Sequence, residues 1–176
     1  MARQLLWYGN KLFLAFFAEM LVLAKVNTHQ IEPVCCGVIV CDTVIREHGT
    51  GKLSYIGCFS VIGGGQFPFQ SPPFFITPML SNLQGEIKEA INLVARVEQP
   101  GTGLVAGSGH AKIQTAPGQK IPKNEVIEIS CPLVCVFPSP GEYAIVILLN
   151  NEKIGERRLT VSPMTSSPFV PPNQPS

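Results

Sequence analysis

Aspartate is nearly missing from this chain: of its 12 acidic residues, Asp42 is the single aspartate and the rest are glutamate. Calcium sites gather several oxygen ligands, usually on Asp-rich loops, so this scarcity argues against a calcium-binding β-domain. Charge of one sign is lacking too. The net charge is +1, charged residues make up 14%, and Arg157–Arg158 is an isolated pair. Nucleic-acid binding needs clustered Lys and Arg to replace phosphate counterions, and no such cluster exists here. The six cysteines (Cys35, Cys36, Cys41, Cys58, Cys131 and Cys135) contain no C-x-x-C pair, which removes a zinc ribbon. Most lie in apolar, strand-like runs, where a free thiol behaves as a small buried hydrophobe. A secreted disulfide domain is the competing reading.

A long uninterrupted apolar run is also missing. Residues 2–26 are rich in apolar side chains, but Glu19 splits Leu12–Ala18 from Met20–Ala24. A spanning helix wants about 20 mostly apolar residues without a central charge. Three readings of the extension over residues 1–30 stay open: a signal or anchor preceded by Arg3 and Lys11, a true start at Met20, or a short helix packed on the domain.

What is present is a chain of 176 residues, about one domain, with 45% hydrophobic residues and 16 each of Gly and Pro. Both residue types break helices, and their even spread favours many short strands. From Val34 the pattern turns to period two, predicting strands near 34–46, 53–62, 74–81, 86–97, 104–115, 126–137, 142–150 and 153–162. The turn His48-Gly49-Thr50-Gly51 sets the register of the first hairpin. Glu47 then faces Lys52, Val40 faces Phe59, Asp42 faces Gly57, and Cys41 and Cys58 become cross-strand neighbours. Two packed thiols at that position fit a cytosolic protein better than a strained disulfide. In 126–137 one face carries Ile127, Ile129, Cys131, Leu133, Cys135 and Phe137, and Pro132 marks an edge strand or bulge. Pro140-Gly141-x-Tyr143 leads into a hairpin like the tyrosine corner of immunoglobulin-like sandwiches, with the Tyr143 hydroxyl bonding a backbone group. The stretch 163–176 holds five prolines and no charge, and reads as an extended, disordered tail. Such a segment also suits an aromatic groove.

Sites of chemistry are few. Gly49-Thr50-Gly51-Lys52 looks like part of a phosphate loop, but Arg46 and Leu53 stand where Gly and Ser/Thr are required. Gly63-Gly64-Gly65 lacks the helix that a dinucleotide site needs. Ser108 and His110 share a strand face, without a G-x-S-x-G turn or a neighbouring acid, so a small hydrolase is a minor alternative. His29, His48 and His110 are too scattered in sequence to indicate a metal site. No cofactor is implied. The aromatic loop Gly63–Phe75, carrying Phe67, Phe69, Phe74 and Phe75, either forms a binding lip or tucks over the end of the domain.

The strand Cys41-Asp42-x-Val44-Ile45, followed by Thr50-Gly51-Lys52, Ile56-Gly57 and Phe59, and then by Phe67-Pro68, Pro140-Gly141-x-Tyr143 and Arg158-x-x-Val161, resembles a family of small bacterial β-sandwich proteins of unknown function. The likeness spans about residues 34–162 and implies a sandwich without assigning an activity. Members start close to the first strand, and the N-terminal extension here departs from that.

The sequence therefore predicts an all-β, immunoglobulin-like antiparallel sandwich of seven to eight strands over 34–162, preceded by a short hydrophobic helix. Its expected function is non-catalytic binding of another protein, in the cytoplasm. His48 and Lys52 on the hairpin tip and Phe67, Phe69 and Phe74 on the loop are the candidate contacts; Tyr143, Cys41 and Cys58 are structural. A membrane-tethered or exported structural protein is the alternative.

Overall fold

The computed structural model describes residues 32–164, and apart from Glu32 these belong to one unit that begins at Pro33. The expected N-terminal helix and the tail from residue 165 lie outside the described residues.

Every regular element described is a strand. The chain runs through β1 (Val34–Arg46), β2 (Leu53–Cys58), β3 (Val61–Gly64), β4 (Phe69–Gln70), β5 (Phe74–Ser81) and β6 (Ile91–Gln99). It continues through β7 (Leu104–Ile113), β8 (Ile127–Glu128), β9 (Cys131–Leu133), β10 (Val136–Phe137), β11 (Gly141–Leu149) and β12 (Glu152–Pro163). One sheet has the order β2-β1-β5-β8, with β9 also paired to β5; the other has the order β3-β12-β11-β6-β7; β4 and β10 form a ribbon. The sheets share one core, in which Val40, Ile76 and Leu80 of the first meet Leu93, Val97, Ile145, Ile147 and Leu159 of the second. β11 lies between β12 and β6, and its unbroken buried run Tyr143–Ile147 reflects cover on both faces.

The first hairpin has the register its turn imposes. Cys41 pairs with Cys58 and Arg46 with Leu53, Glu47 N donates to Lys52 O at 2.8 Å, and Phe59 N donates to Val40 O at 3.1 Å. The hairpin between β11 and β12 turns on Asn150 and Asn151, with φ of 48° and 70°. Two successive left-handed residues make a type I′ turn, which asparagine tolerates.

The strand count and the all-antiparallel pairing need correction. The expected strand 53–62 breaks after Cys58, where the chain leaves the first sheet. It joins the second as β3, which runs parallel to β12, from Val61 opposite Thr160 to Gly64 opposite Pro163. Left-handed Gly57 (φ 67°) precedes this crossing, and the Asp42 carboxylate fills the space where a Cβ would stand. The expected strand 126–137 is divided into three. β8 and β9 pair with β5, then β10 moves to β4. Pro132 lacks the N–H that a continuous ladder uses, and β9 lies at a sheet edge. The alternation survives the division: Cys131, Leu133, Cys135 and Phe137 are buried, and Ile127 and Ile129 are half-buried.

Tyr143 closes the corner before β11. Its hydroxyl donates to Ser139 O at 2.9 Å, and its ring meets Phe137 edge-on at 4.9 Å. Tyr143→Phe keeps the ring and removes the bond, so the expected loss is about 1 kcal/mol. Urea denaturation measures it, and an unshifted midpoint would show that the bond contributes nothing.

Candidate functional site

The sheet crossing opens a groove. Cys58 and Asp42 at the base of the first hairpin form one side, Val61 and Ile62 of β3 the next, and Met164 the rim after β12. The loop from Phe69 through Pro72 and Pro73 to Phe74 completes it, enclosing about 800 Å³. The floor is aromatic. Phe59 meets Phe74 edge-on at 5.6 Å, and Phe69 is met edge-on at 6.3 Å by Phe67 from outside the lining. Phe69 stacks on Phe137 at 6.4 Å, which links the groove to the tyrosine corner. Glycine makes this packing fit, because a Cβ on Gly64 would lie 2.7 Å from Phe69 Cγ. Ser71 anchors the loop: its N–H donates to Cys135 O at 2.9 Å, and its hydroxyl accepts from Cys135 N at 3.0 Å. Rim and floor differ in exposure, with Val61 at 54% and Met164 at 70% against 1% for Phe74.

The candidate residues fall in two separate places. Phe69, half-buried, and Phe74, buried, line the groove, whereas Phe67 is half-buried against the core outside that lining, so the loop aromatics form no projecting lip. His48 and Lys52 are exposed at the hairpin tip, six residues or about 20 Å of strand from Cys58. That tip is closed on itself. Arg46 donates to Gly51 O at 2.8 Å, and the Thr50 hydroxyl donates to the Glu47 carboxylate at 2.8 Å. Val61, Ile62 and Met164 were not among the sequence candidates. Their one sequence signal is the small-residue run Gly63–Gly65, which gives Met164 and Phe69 room to approach β3.

Cys41 and Cys58 are free thiols on facing strands, the first buried and the second exposed. Burial, then the neighbouring Cys58 thiol and Asp42, push the Cys41 thiol above its ordinary value. Burial pushes Cys131 up to about 11 and Cys135 up to about 12, so both stay protonated at neutral pH. Among the described residues no group of three or more His, Cys, Asp or Glu side chains converges to hold a metal.

Ser108 Oγ lies 3.1 Å from His110 Nε2 on the exposed face of edge strand β7. A serine nucleophile needs a base oriented by an acid, and donors for the developing oxyanion. Among the described residues His110 has Ser108 as its side-chain partner, with no carboxylate bonded to the ring. The adjoining depression, about 370 Å³, is lined by Asn92, Leu93, Ala111 and Lys112.

The family model for a family of unknown function, DUF6941, matches residues 37–162, which takes in strands of both sheets and all of the groove lining named above except Met164. The chain belongs to this family. No curated protein matches the DUF6941 chain. Among solved structures it is similar to a β-glucuronidase from glycoside hydrolase family 2, with 16% identity, 71% of this chain and 11% of that one covered, and a TM-score of 0.42. It is also similar to a Pseudomonas fluorescens alkylpurine DNA glycosylase bound to DNA, with 14% identity, 58% and 27% covered, and a TM-score of 0.36. An immunoglobulin-like protein from Pseudomonas aeruginosa is matched at 15% identity over 76% of this chain and 99% of that one, with a TM-score of 0.32. The DUF6941 chain thus spans 11% and 27% of the first two.

Proposed function

We propose that the DUF6941 chain is a non-catalytic binding module on an immunoglobulin-like frame, which takes an extended apolar segment of a partner protein in the groove beside β3. The frame is supported by the adjacency of β6, β11 and β12, in the order of strands C, F and G, and by a tyrosine corner at the start of β11. The groove carries the functional reading. An exposed apolar rim over an aromatic floor releases little-bound water when covered, and concave apolar sites with few polar groups are where ligands seat. The outer edge of β3, away from β12, adds backbone groups for an incoming strand. Hydrolysis is left out of this reading because, among the described residues, no acid is bonded to His110.

Val61→Glu tests it. Val61 is on the rim, so the substitution leaves the core intact and puts a charge into the apolar contact. Extended peptides selected from a displayed library on the wild-type chain are expected to bind the variant at least about tenfold more weakly, with the thermal midpoint kept. Equal binding by both chains, or a selection that enriches nothing, overturns the groove as the site.

A further inference from the structure

Of the six free thiols, Cys41 and Cys58 are the two that face each other as strand partners. Directly opposed residues of antiparallel strands have Cα atoms about 4.5–5.5 Å apart and side chains on one sheet face. A disulfide spans Cα separations of about 4.4–6.8 Å, so the backbone is already set for a bond here. Among the described residues no other two cysteines are placed this way. Cys35 and Cys36 are adjacent on β1 and point to opposite faces of it. Cys131 and Cys135 lie four residues apart along one segment, which in a strand is roughly 13 Å. We infer that Cys58 is a site of modification by low-molecular-weight disulfides, and that Cys41 resolves the adduct to a reversible Cys41–Cys58 disulfide.

Exposure assigns the order of the two steps. Cys58 is exposed and lines the groove, where a small disulfide reaches it. Its contact with Tyr55 O is long, at 4.0 Å, so the thiol turns away from it at little cost. Cys41 is fully buried, and burial raises its thiol's pKa, so it does not meet the reagent first. The Cys58 thiolate attacks one sulfur of the small disulfide. That S–S bond breaks, and the leaving thiolate takes up the proton that Cys58 gave up. The Cys41 thiolate then attacks Cys58 Sγ, the mixed disulfide breaks, and the second small thiol leaves with the Cys41 proton. The two cysteines have together lost two electrons, and one small disulfide has become two thiols. A bridge between directly facing strands is strained, which keeps it reducible. It ties β1 to β2 one residue before Phe59, where the chain leaves the first sheet.

The test adds oxidised glutathione to the folded full chain and follows its intact mass. The chain carries Cys36→Ser, because Cys36 is exposed as well. It is expected to become lighter by two hydrogens, with the proteolytic peptides of Cys41 and Cys58 linked, and dithiothreitol is expected to restore it. With Cys41→Ser added, the reaction is expected to stop at a chain heavier by one glutathione, held on Cys58. A lasting glutathione adduct on Cys58 while Cys41 is present overturns the inference, as does a bridge mapped to other cysteines or an unchanged mass. The groove reading is scored separately by Val61→Glu, so either can fail alone.

Discussion

Gly107→Ala is expected to lower the unfolding free energy by about 3 kcal/mol, measured by urea denaturation. Gly107 pairs with core residue Val97 on the neighbouring strand and faces inward. The segment after β9 crosses directly over it. A Cβ there would lie 2.6 Å from Val134 O and 2.7 Å from Cys135 Sγ. The nearer atom is backbone, which cannot rotate aside as a side chain end does. Relief requires moving the segment from β9 to β10, and with it the Ser71–Cys135 bonds that hold the groove loop. Gly109 repeats the arrangement two residues on, with a Cβ 3.0 Å from Cys131 Cβ. Ser108 between them is exposed, and Ser108→Ala is the matched control, expected within about 0.5 kcal/mol of the wild type. A Gly107→Ala midpoint as close as that would show that the crossing is loose.

Arg157→Met is expected to cost a similar amount, about 3 kcal/mol, through lost polar contacts and not through packing. Arg157 projects from β12 between the sheets. One guanidinium nitrogen donates to Val38 O at 2.6 Å and the other to Phe59 O at 3.1 Å. Phe59 lies where the chain leaves the first sheet, so its carbonyl and that of Val38 face the crossing without a strand to pair them there. The planar fork reaches both, whereas a lysine ammonium is a compact point charge; Arg157→Lys is therefore expected to restore only part of the loss. The acceptors are neutral carbonyls, so the cost should change little between low and high salt. Denaturation at two salt concentrations measures this. Arg157→Met at wild-type stability would sink the bridging role, and a cost that disappears in salt would point to an ion pair instead. Neighbouring Arg158, the arginine in the family-like motif, is exposed and pairs with Glu142 at 3.3 Å; such pairs contribute little.

Local order was legible. The bounds Val34–Arg46 and Phe74–Ser81 follow from period-two runs ended by turns, and the pairing of Cys41 with Cys58 follows from the four turn residues between Glu47 and Lys52. The aromatic loop was legible as a place of interest, but its geometry was not. The run of aromatics at Phe67, Phe69, Phe74 and Phe75 marks a lip or a cover for the domain end, yet does not tell that Gly64 lets Phe69 approach β3 and stack on Phe137.

By itself the sequence determined the all-β class, the first hairpin with its register, the alternating faces of the 126–137 segment, and the corner at Tyr143. Each depends on residues a few positions apart, where turn chemistry and side-chain period act directly. Tertiary structure alone decided the crossing at Phe59, the parallel pairing of β3 with β12, the bridge from Arg157 and the groove. These join residues as far apart as Val38 and Arg157, 119 positions along the chain. Their contacts arise only when two sheets close over one core, and a single strand's pattern records which side faces inward but not what it will meet there.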